Sequence, residues 1–328
     1  MAIQDNQKLA RVLEATAFVH YQQKNLQAAL QAMQHSVDLS RNVSKPMNLA
    51  SSLNNIALVQ HQLGKAEEAL DTLNESIELV RETSRNFLAR FIGNRAEVLT
   101  YLGRYTEAQN DFKQAISLFM VMDDEQALAE LYLVMGYEHY SMMGDWPQAN
   151  ECFQKVETLI NQRNEDFAEE TARLLIGMGQ VALNTGKDQQ ARTHFESALK
   201  IIEEKNITWW HPAALFYLAQ SNLQLGNVTT ARQQLLAAIG AIENEGCPDY
   251  LPLIFFSLAH LEDTPNVKQQ YLESCVQAAE TRARLLDKIY CFEQVAKIFA
   301  NDLDPRQRKR GSEIQNKVEL LRSQLQTG

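Results

Sequence analysis

The sequence predicts an all-α fold, a right-handed solenoid of about seven stacked helix pairs closed by a C-terminal helical segment. Three observations predict it. A two-helix unit recurs at nearly constant spacing, small residues stand at fixed places within each copy, and strand-like alternation is everywhere short. No Gly-rich phosphate loop or βαβ pattern appears.

The clearest copy is Ala50 to Val80, ASSLNNIALVQHQLGKAEEALDTLNESIELV. Its first helix puts Leu53, Ile56, Ala57 and Val59 on one stripe, and its second puts Ala66, Ala69, Leu70, Leu73 and Ile77 on another. Gly64 suits the left-handed position that ends a helix and starts a tight turn. With the turn there, Ala57 and Ala69 face each other, and their small side chains let two antiparallel helices approach to the short end of the packing range. Ser76 stands at the last small position. The same succession, a small residue, Gly, Ala and a small residue at steps of 7, 5 and 7, returns at Ala96, Gly103, Ala108 and Ala115. It returns again at Gly179, Gly186, Ala191 and Ala198, and at Ala219, Gly226, Ala231 and Ala238.

Three copies depart from the rule. Ala17, Ala29 and Ser36 carry it with Lys24 at the turn, where Asn25 is expected to take the unusual backbone angle. Gly136, Gly144 and Ala149 carry it with one extra residue in the first helix and Val156 last. Ala259, Asn266 and Ala278 give a worn seventh copy, with Tyr271 in place of the middle Ala.

In chain order, the helix pairs are expected at residues 4–23 with 26–42, 47–63 with 66–83, 86–102 with 105–121, and 124–143 with 146–162. They continue at 166–185 with 188–204 and at 212–225 with 228–245. Pro46 suits the first turn of a helix. Two connectors interrupt the rhythm: Lys205 to Pro212, with Trp209 and Trp210 side by side, and Glu245–Gly246–Cys247–Pro248. Helix patterns follow at 267–285, 286–300 and 306–326, with a break at Asp302–Leu303–Asp304–Pro305. The repeat domain is thus expected over residues 1–285 and a capping segment over 286–328. Ile314, Val318, Leu321 and Leu325 form the apolar stripe of the last helix; it serves either to cover the final repeat or as a short seam for a homodimer.

The first-helix small residues (17, 57, 96, 136, 179, 219 and 259) and the succession Ala96, Gly103, Ala108, Phe112, Ala115 resemble the tetratricopeptide repeat, over roughly residues 4 to 285. The spacing here is near 40 residues rather than the family's usual value of roughly 34. In that respect the chain is similar to the repeats of kinesin light chains and of effector-sensing domains in bacterial transcription activators. SLNNIALVQHQLGKAEEAL is especially similar to the former.

Composition narrows the function. The 328 residues carry 31 Lys and Arg against 41 Asp and Glu, a net charge of −10, which argues against a general nucleic-acid binder. The four cysteines (Cys152, Cys247, Cys275 and Cys291) form no CxxC pair and read as small apolar residues in a reducing, cytoplasmic setting. No stretch has signal-peptide or membrane-span character. The seven histidines form neither HxxxH nor HExxH, no residue stands in a nucleophile motif, and the acidic pairs read as solvated faces. No metal, cofactor or catalysis is expected. Arg306, Arg308, Lys309 and Arg310 form one basic cluster, either a solvated connector or a contact for an acidic partner.

The resemblance implies a concave groove lined by first helices, with groove positions two, five, six, nine, twelve and thirteen residues into each. Carried onto this chain, these give Ser51, Asn54, Asn55, Leu58 and His61, then Arg90, Asn94, Glu97 and Tyr101. Later copies give Glu130, Tyr137 and Tyr140, then Arg173, Gln180 and Asn184, then Phe216, Tyr217, Gln220 and Gln224. An Asn amide both donates and accepts, so it grips an extended backbone without reading side chains, and Arg holds a carboxylate through two parallel bonds. The expected partner-binding set is Asn54, Asn55, Arg90, Asn94, Tyr137, Arg173, Gln180 and Tyr217. The alternative for these residues is a solvated face or a helix-to-helix hydrogen bond. The aromatics Tyr137, Tyr140, Trp209, Trp210, Phe216 and Tyr217 are expected mainly in the core, with one Trp exposed. The expected function is a non-enzymatic adaptor or scaffold that holds a peptide or helix of another protein. A regulatory sensor of a signalling peptide or small effector, controlling a transcription or signalling partner, is the alternative.

Overall fold

The computed structural model describes residues 2–23, 25–41, 44–162, 167–244, 247–282 and 285–327. All regular structure among them is helical. The chain divides into two compact units, Met1–Leu131 and Tyr132–Gly328.

The first unit holds α1 (Ala2–Gln22), α2 (Leu26–Ser40), α3 (Pro46–Gln62), α4 (Ala66–Val80), α5 (Arg85–Tyr101), α6 (Tyr105–Met122) and the start of α7 (Glu125–Val134). Helices pair as the small-residue code requires, α1 with α2, α3 with α4 and α5 with α6. Ala17, Ala29, Ala57, Ala69, Ala96, Ala108 and Ala115 are all buried at their interfaces. Gly64 and Gly103 turn the chain at φ of 76° and 79°, values that a side chain would strain. Where the final small residue is Ser, its hydroxyl is put to use. Ser36 donates to the Ala10 carbonyl at 3.0 Å, and Ser76 to the Ala50 carbonyl at 2.9 Å, in both cases 26 residues back on the partner helix. Asn25 does not take the left-handed angle expected of it. Its φ is −84°, and its side chain accepts the Ala28 N–H as the N-cap of α2, a use open to a short amide without any strained backbone. Lys24 lies outside the described residues.

The second unit continues α7 into a π-turn at Met135–Tyr140, then holds α8 (Trp146–Asn161), α9 (Ala168–Asn184), α10 (Asp188–Lys205), α11 (His211–Gln224) and α12 (Val228–Glu243). A 3₁₀ turn at Pro248–Tyr250 leads into α13 (Leu251–His260), followed by α14 (Pro265–Arg282), α15 (Leu285–Ala300) and α16 (Pro305–Thr327). The π-turn is where the extra residue between Gly136 and Gly144 goes. Both the N–H and the hydroxyl of Ser141 bond the Gly136 carbonyl, at 3.0 and 2.8 Å, so five residues span a turn that four would close in an α-helix. Asn266 is not the turn residue of the worn seventh copy; it lies in the first turn of α14, because the chain already turns at residues 261–264.

Helices α13 to α16 share one core, including Phe256, Leu272, Ile289, Phe292, Ile314 and Val318. Ile314 and Val318 are thus buried against their own chain, with Leu321 packed beside them. The side chain of Leu325 lies outside the described residues. The basic cluster is largely engaged locally: Arg306 pairs with Asp304, Arg308 donates to the Asp302 and Leu303 carbonyls, and Arg310 pairs with Glu273 and Glu313.

Candidate functional site

Each unit carries its own set of polar and aromatic groups on its first helices. In the first unit the set centres on α3 and α5. Asn94 donates its amide to the Asn54 side-chain oxygen at 2.8 Å, so the two residues expected to grip a partner also bind each other. Asn54 is 8% exposed and Asn94 half-buried. The bond uses one acceptor and one donor, leaving the Asn94 side-chain oxygen and the Asn54 amide nitrogen. Further along the same helices, His61 lies 3.8 Å from Glu97 and edge-on to Tyr101 at 5.0 Å. Asn55 is exposed at the mouth of a cleft that reaches to α1 and α2. Arg90 is solvated, 3.9 Å from the Asp124 carboxylate, and stands apart from the Asn pair.

In the second unit an aromatic cluster forms around Trp210. Its indole N–H donates to Glu169 at 3.1 Å, its ring lies 4.8 Å from the Arg173 guanidinium, and Tyr137 meets it edge-on at 5.8 Å. The Tyr137 and Tyr250 hydroxyls are 3.5 Å apart. Tyr217 stacks on Phe195 and meets Tyr250 edge-on, each at 5.7 Å. Tyr137, Tyr140 and Phe216 are buried, as expected of core aromatics, whereas Trp209 is 37% exposed and Trp210 half-buried. Arg173 is at the edge of burial, at 9%. Gln180 is 3% exposed, and its amide nitrogen has no hydrogen-bond partner among the described residues. Gln220, one helix pair on, donates to the Ser257 hydroxyl at 2.8 Å.

Glu169 and Tyr250 join this cluster without being among the groove positions that the repeat register picks out. Glu169 looked like one of many surface acids. Tyr250 is positioned by a tie between the two irregular connectors, where the Cys247 N–H donates to the Trp209 carbonyl at 3.0 Å. A signal for it was present: both connectors break the rhythm, and each is followed by aromatic residues.

Burial raises the Cys152 thiol to about 12 and lowers His139 to about 4, which leaves both neutral at ordinary pH. Among the described residues no group of three or more His, Cys, Asp or Glu could hold a metal ion, and no helix is long and apolar enough to cross a membrane.

A family model described as tetratricopeptide repeat matches residues 8–82 and 138–204, and a second such model matches 89–119, between them more than half of the chain. Solved structures of similar fold include the apo form of the quorum sensor NprR from B. thuringiensis, at 14% identity and a TM-score of 0.63, covering 95% of this chain and 87% of that one. A Rap protein complexed with Competence and Sporulation Factor is 17% identical at a TM-score of 0.61, covering 98% of each chain. BtubC (BKLC) from P. vanneervenii is 18% identical at a TM-score of 0.52, covering 62% of this chain and 88% of that one. At such identities the likeness is one of fold. No curated protein sequence matches the chain.

Proposed function

Because the chain belongs to the tetratricopeptide-repeat family, we propose that it is a non-enzymatic interaction module that holds a peptide or helix of another protein along its first helices. The observation that carries this reading is the Asn54–Asn94 pair. Each amide is held by the other, so their remaining donor and acceptor are set in place before a partner arrives, at little further entropic cost. Asn55 extends the polar face in the first unit, and Arg90 adds a separate solvated cation on α5. In the second, Arg173, Gln180, Tyr137 and Tyr217 supply a buried donor and aromatic anchors of the kind that dominate binding energy. The free, buried cysteines accord with a cytoplasmic setting.

The test is quantitative capture from native lysate. A protein retained by the wild type should be lost when Asn55→Ala and Asn94→Ala are combined, and kept when Glu67→Ala and Glu68→Ala are combined on α4, the second helix of the pair that holds Asn55. Identical capture by both variants removes the first helices from the interaction. A sensor is the second reading, favoured by the descriptions of two similar structures, one a quorum sensor and one a Rap protein in complex with a signalling factor. In that case a short peptide would bind in place of a protein and bias the chain between two conformations that it contacts differently.

A further inference from the structure

We propose that the cleft between α1 and α3 is an anchor site for a peptide segment in which an apolar or aromatic side chain is followed closely by a lysine or arginine. The cleft has a volume of about 550 Å³, within the range of sites that take a small ligand. Val37 and Val59 lie buried at its base beside Met33, while Phe18, Tyr21 and Leu58 line its sides.

Its origin is legible in the repeat register. Counting from the first-helix small residue, Gln220 and Ser257 occupy the places that Phe18 and Asn55 occupy between α1 and α3. Gln220 and Ser257 close their helices with a 2.8 Å hydrogen bond. Phe18 has no polar atom with which to do the same, and it stays 62% exposed. A phenyl ring that open, beside an apolar cleft, gains from any apolar side chain that displaces water between them.

Charge selects the occupant. Glu14 is the one ionisable carboxylate lining the cleft, and its partner among the described residues is the Ser36 hydroxyl at 3.4 Å, whose nearer acceptor is the Ala10 carbonyl at 3.0 Å. A cation on the entering segment would meet that carboxylate, whereas an acidic residue would face it in a chain of net charge −10. Asn55 at the mouth offers an amide to the segment's backbone. That the occupant is a peptide rests on the interaction reading above; the cleft and its charge do not.

The experiment labels the full chain with methyl-¹³C methionine and assigns Met33 by Met33→Leu. The probe is N-acetyl-phenylalanyl-lysine amide. We expect a saturable shift of the Met33 methyl, with Kd on the order of millimolar for one buried side chain. The phenylalanyl-glutamate analogue should bind about three- to fivefold more weakly, and Glu14→Gln should bring the two probes within about twofold of each other. The alanyl-lysine analogue should leave Met33 in place. An unmoved Met33 in folded protein overturns the site. Equal affinity of the Lys and Glu probes for the wild type overturns the charge assignment. Phenethylamine binding as well as the dipeptide overturns the peptide assignment in favour of a small amine. A Met33 shift alongside failed partner capture would keep the cleft and remove the interaction reading, and the reverse pair of results would do the opposite.

Discussion

Adding one methyl group at Gly177 tests how neighbouring helix pairs of the second unit fit together. Phe153 of α8 is fully buried against two glycines, Gly136 of its own pair and Gly177 of α9 in the next. A Cβ at Gly177 would lie 2.4, 2.5 and 2.8 Å from three carbons of that ring. Carbon atoms rest at about 3.5–4.0 Å, so the ring must retreat by about 1 Å. The ring has little room for that, since it is fully buried and Gly136 packs on the same Cε1–Cζ edge, where a Cβ would be only 2.8 Å from it. Two effects then compete. Replacing Gly by Ala inside a helix favours folding by about 1 kcal/mol. Overpacking a closed core costs about 1–3 kcal/mol, and three simultaneous overlaps against a confined ring put this site at the upper end. Gly177→Ala should therefore lose about 2 kcal/mol net, read as a lower urea midpoint by circular dichroism at constant slope. In a Phe153→Leu background the overlap is gone and the helix term remains, so the same change should become neutral or stabilising by up to about 1 kcal/mol. A Gly177→Ala protein as stable as the wild type would refute the argument, because it would mean that the ring is not confined.

Three further outcomes follow from the packing and burial of single side chains. Asn54→Ala should cost about 1 kcal/mol through loss of the bond from Asn94, while Asn55→Ala, exposed, should stay within about 0.5 kcal/mol; urea midpoints compare them, and equal losses would remove the pair. All four thiols are buried, and burial raises Cys152 to about 12, so a chromogenic disulfide reagent should label none of them until denaturant is added; prompt native labelling would contradict their packing. His139 titrates at about 4 when folded, below its ordinary 6.5, because its burial disfavours the cation. The unfolded chain therefore takes up the proton first, stability is complete above about pH 6.5, and it declines as pH falls toward 4. His139→Gln should lose less stability than the wild type over that interval, and parallel losses would exclude His139 as a contributor.

The fold was legible because close helix packing is a local demand written in residue size. Ala57, Ala69, Ala96, Ala115, Ala198, Ala219 and Ala238 are each at 0% exposure, and five turn glycines take positive φ. Even the irregular eight-residue step from Gly136 to Gly144 announced an extra residue, although size alone could not say that a π-turn would absorb it. The code misled at Asn25 and Asn266, where a turn was inferred from residue type after the small-residue pattern had thinned. Asn serves a helix N-cap as readily as a left-handed turn, and only the neighbouring geometry decides between them.

The candidate site was legible in membership more than in pairing, and the reason lies in the period. Register alone picks out Asn54 and Asn94, but their bond joins residues 40 apart, and Glu169 reaches Trp210 across 41. Gln220 and Ser257 are 37 apart. These partners stand about one repeat from each other, so a polar residue in such a chain is best read together with the residue one period on. The Tyr137–Tyr250 contact, across 113 residues, escapes that rule because an irregular connector sets Tyr250. The rule also works in the negative. Phe18 and Asn55 are separated by the same 37 residues as Gln220 and Ser257, yet they cannot bond, and the first unit is open at that place. At this register the Gln220–Ser257 pair ties α11 to α13, and its mismatched counterpart, Phe18 with Asn55, lines the open cleft of the first unit.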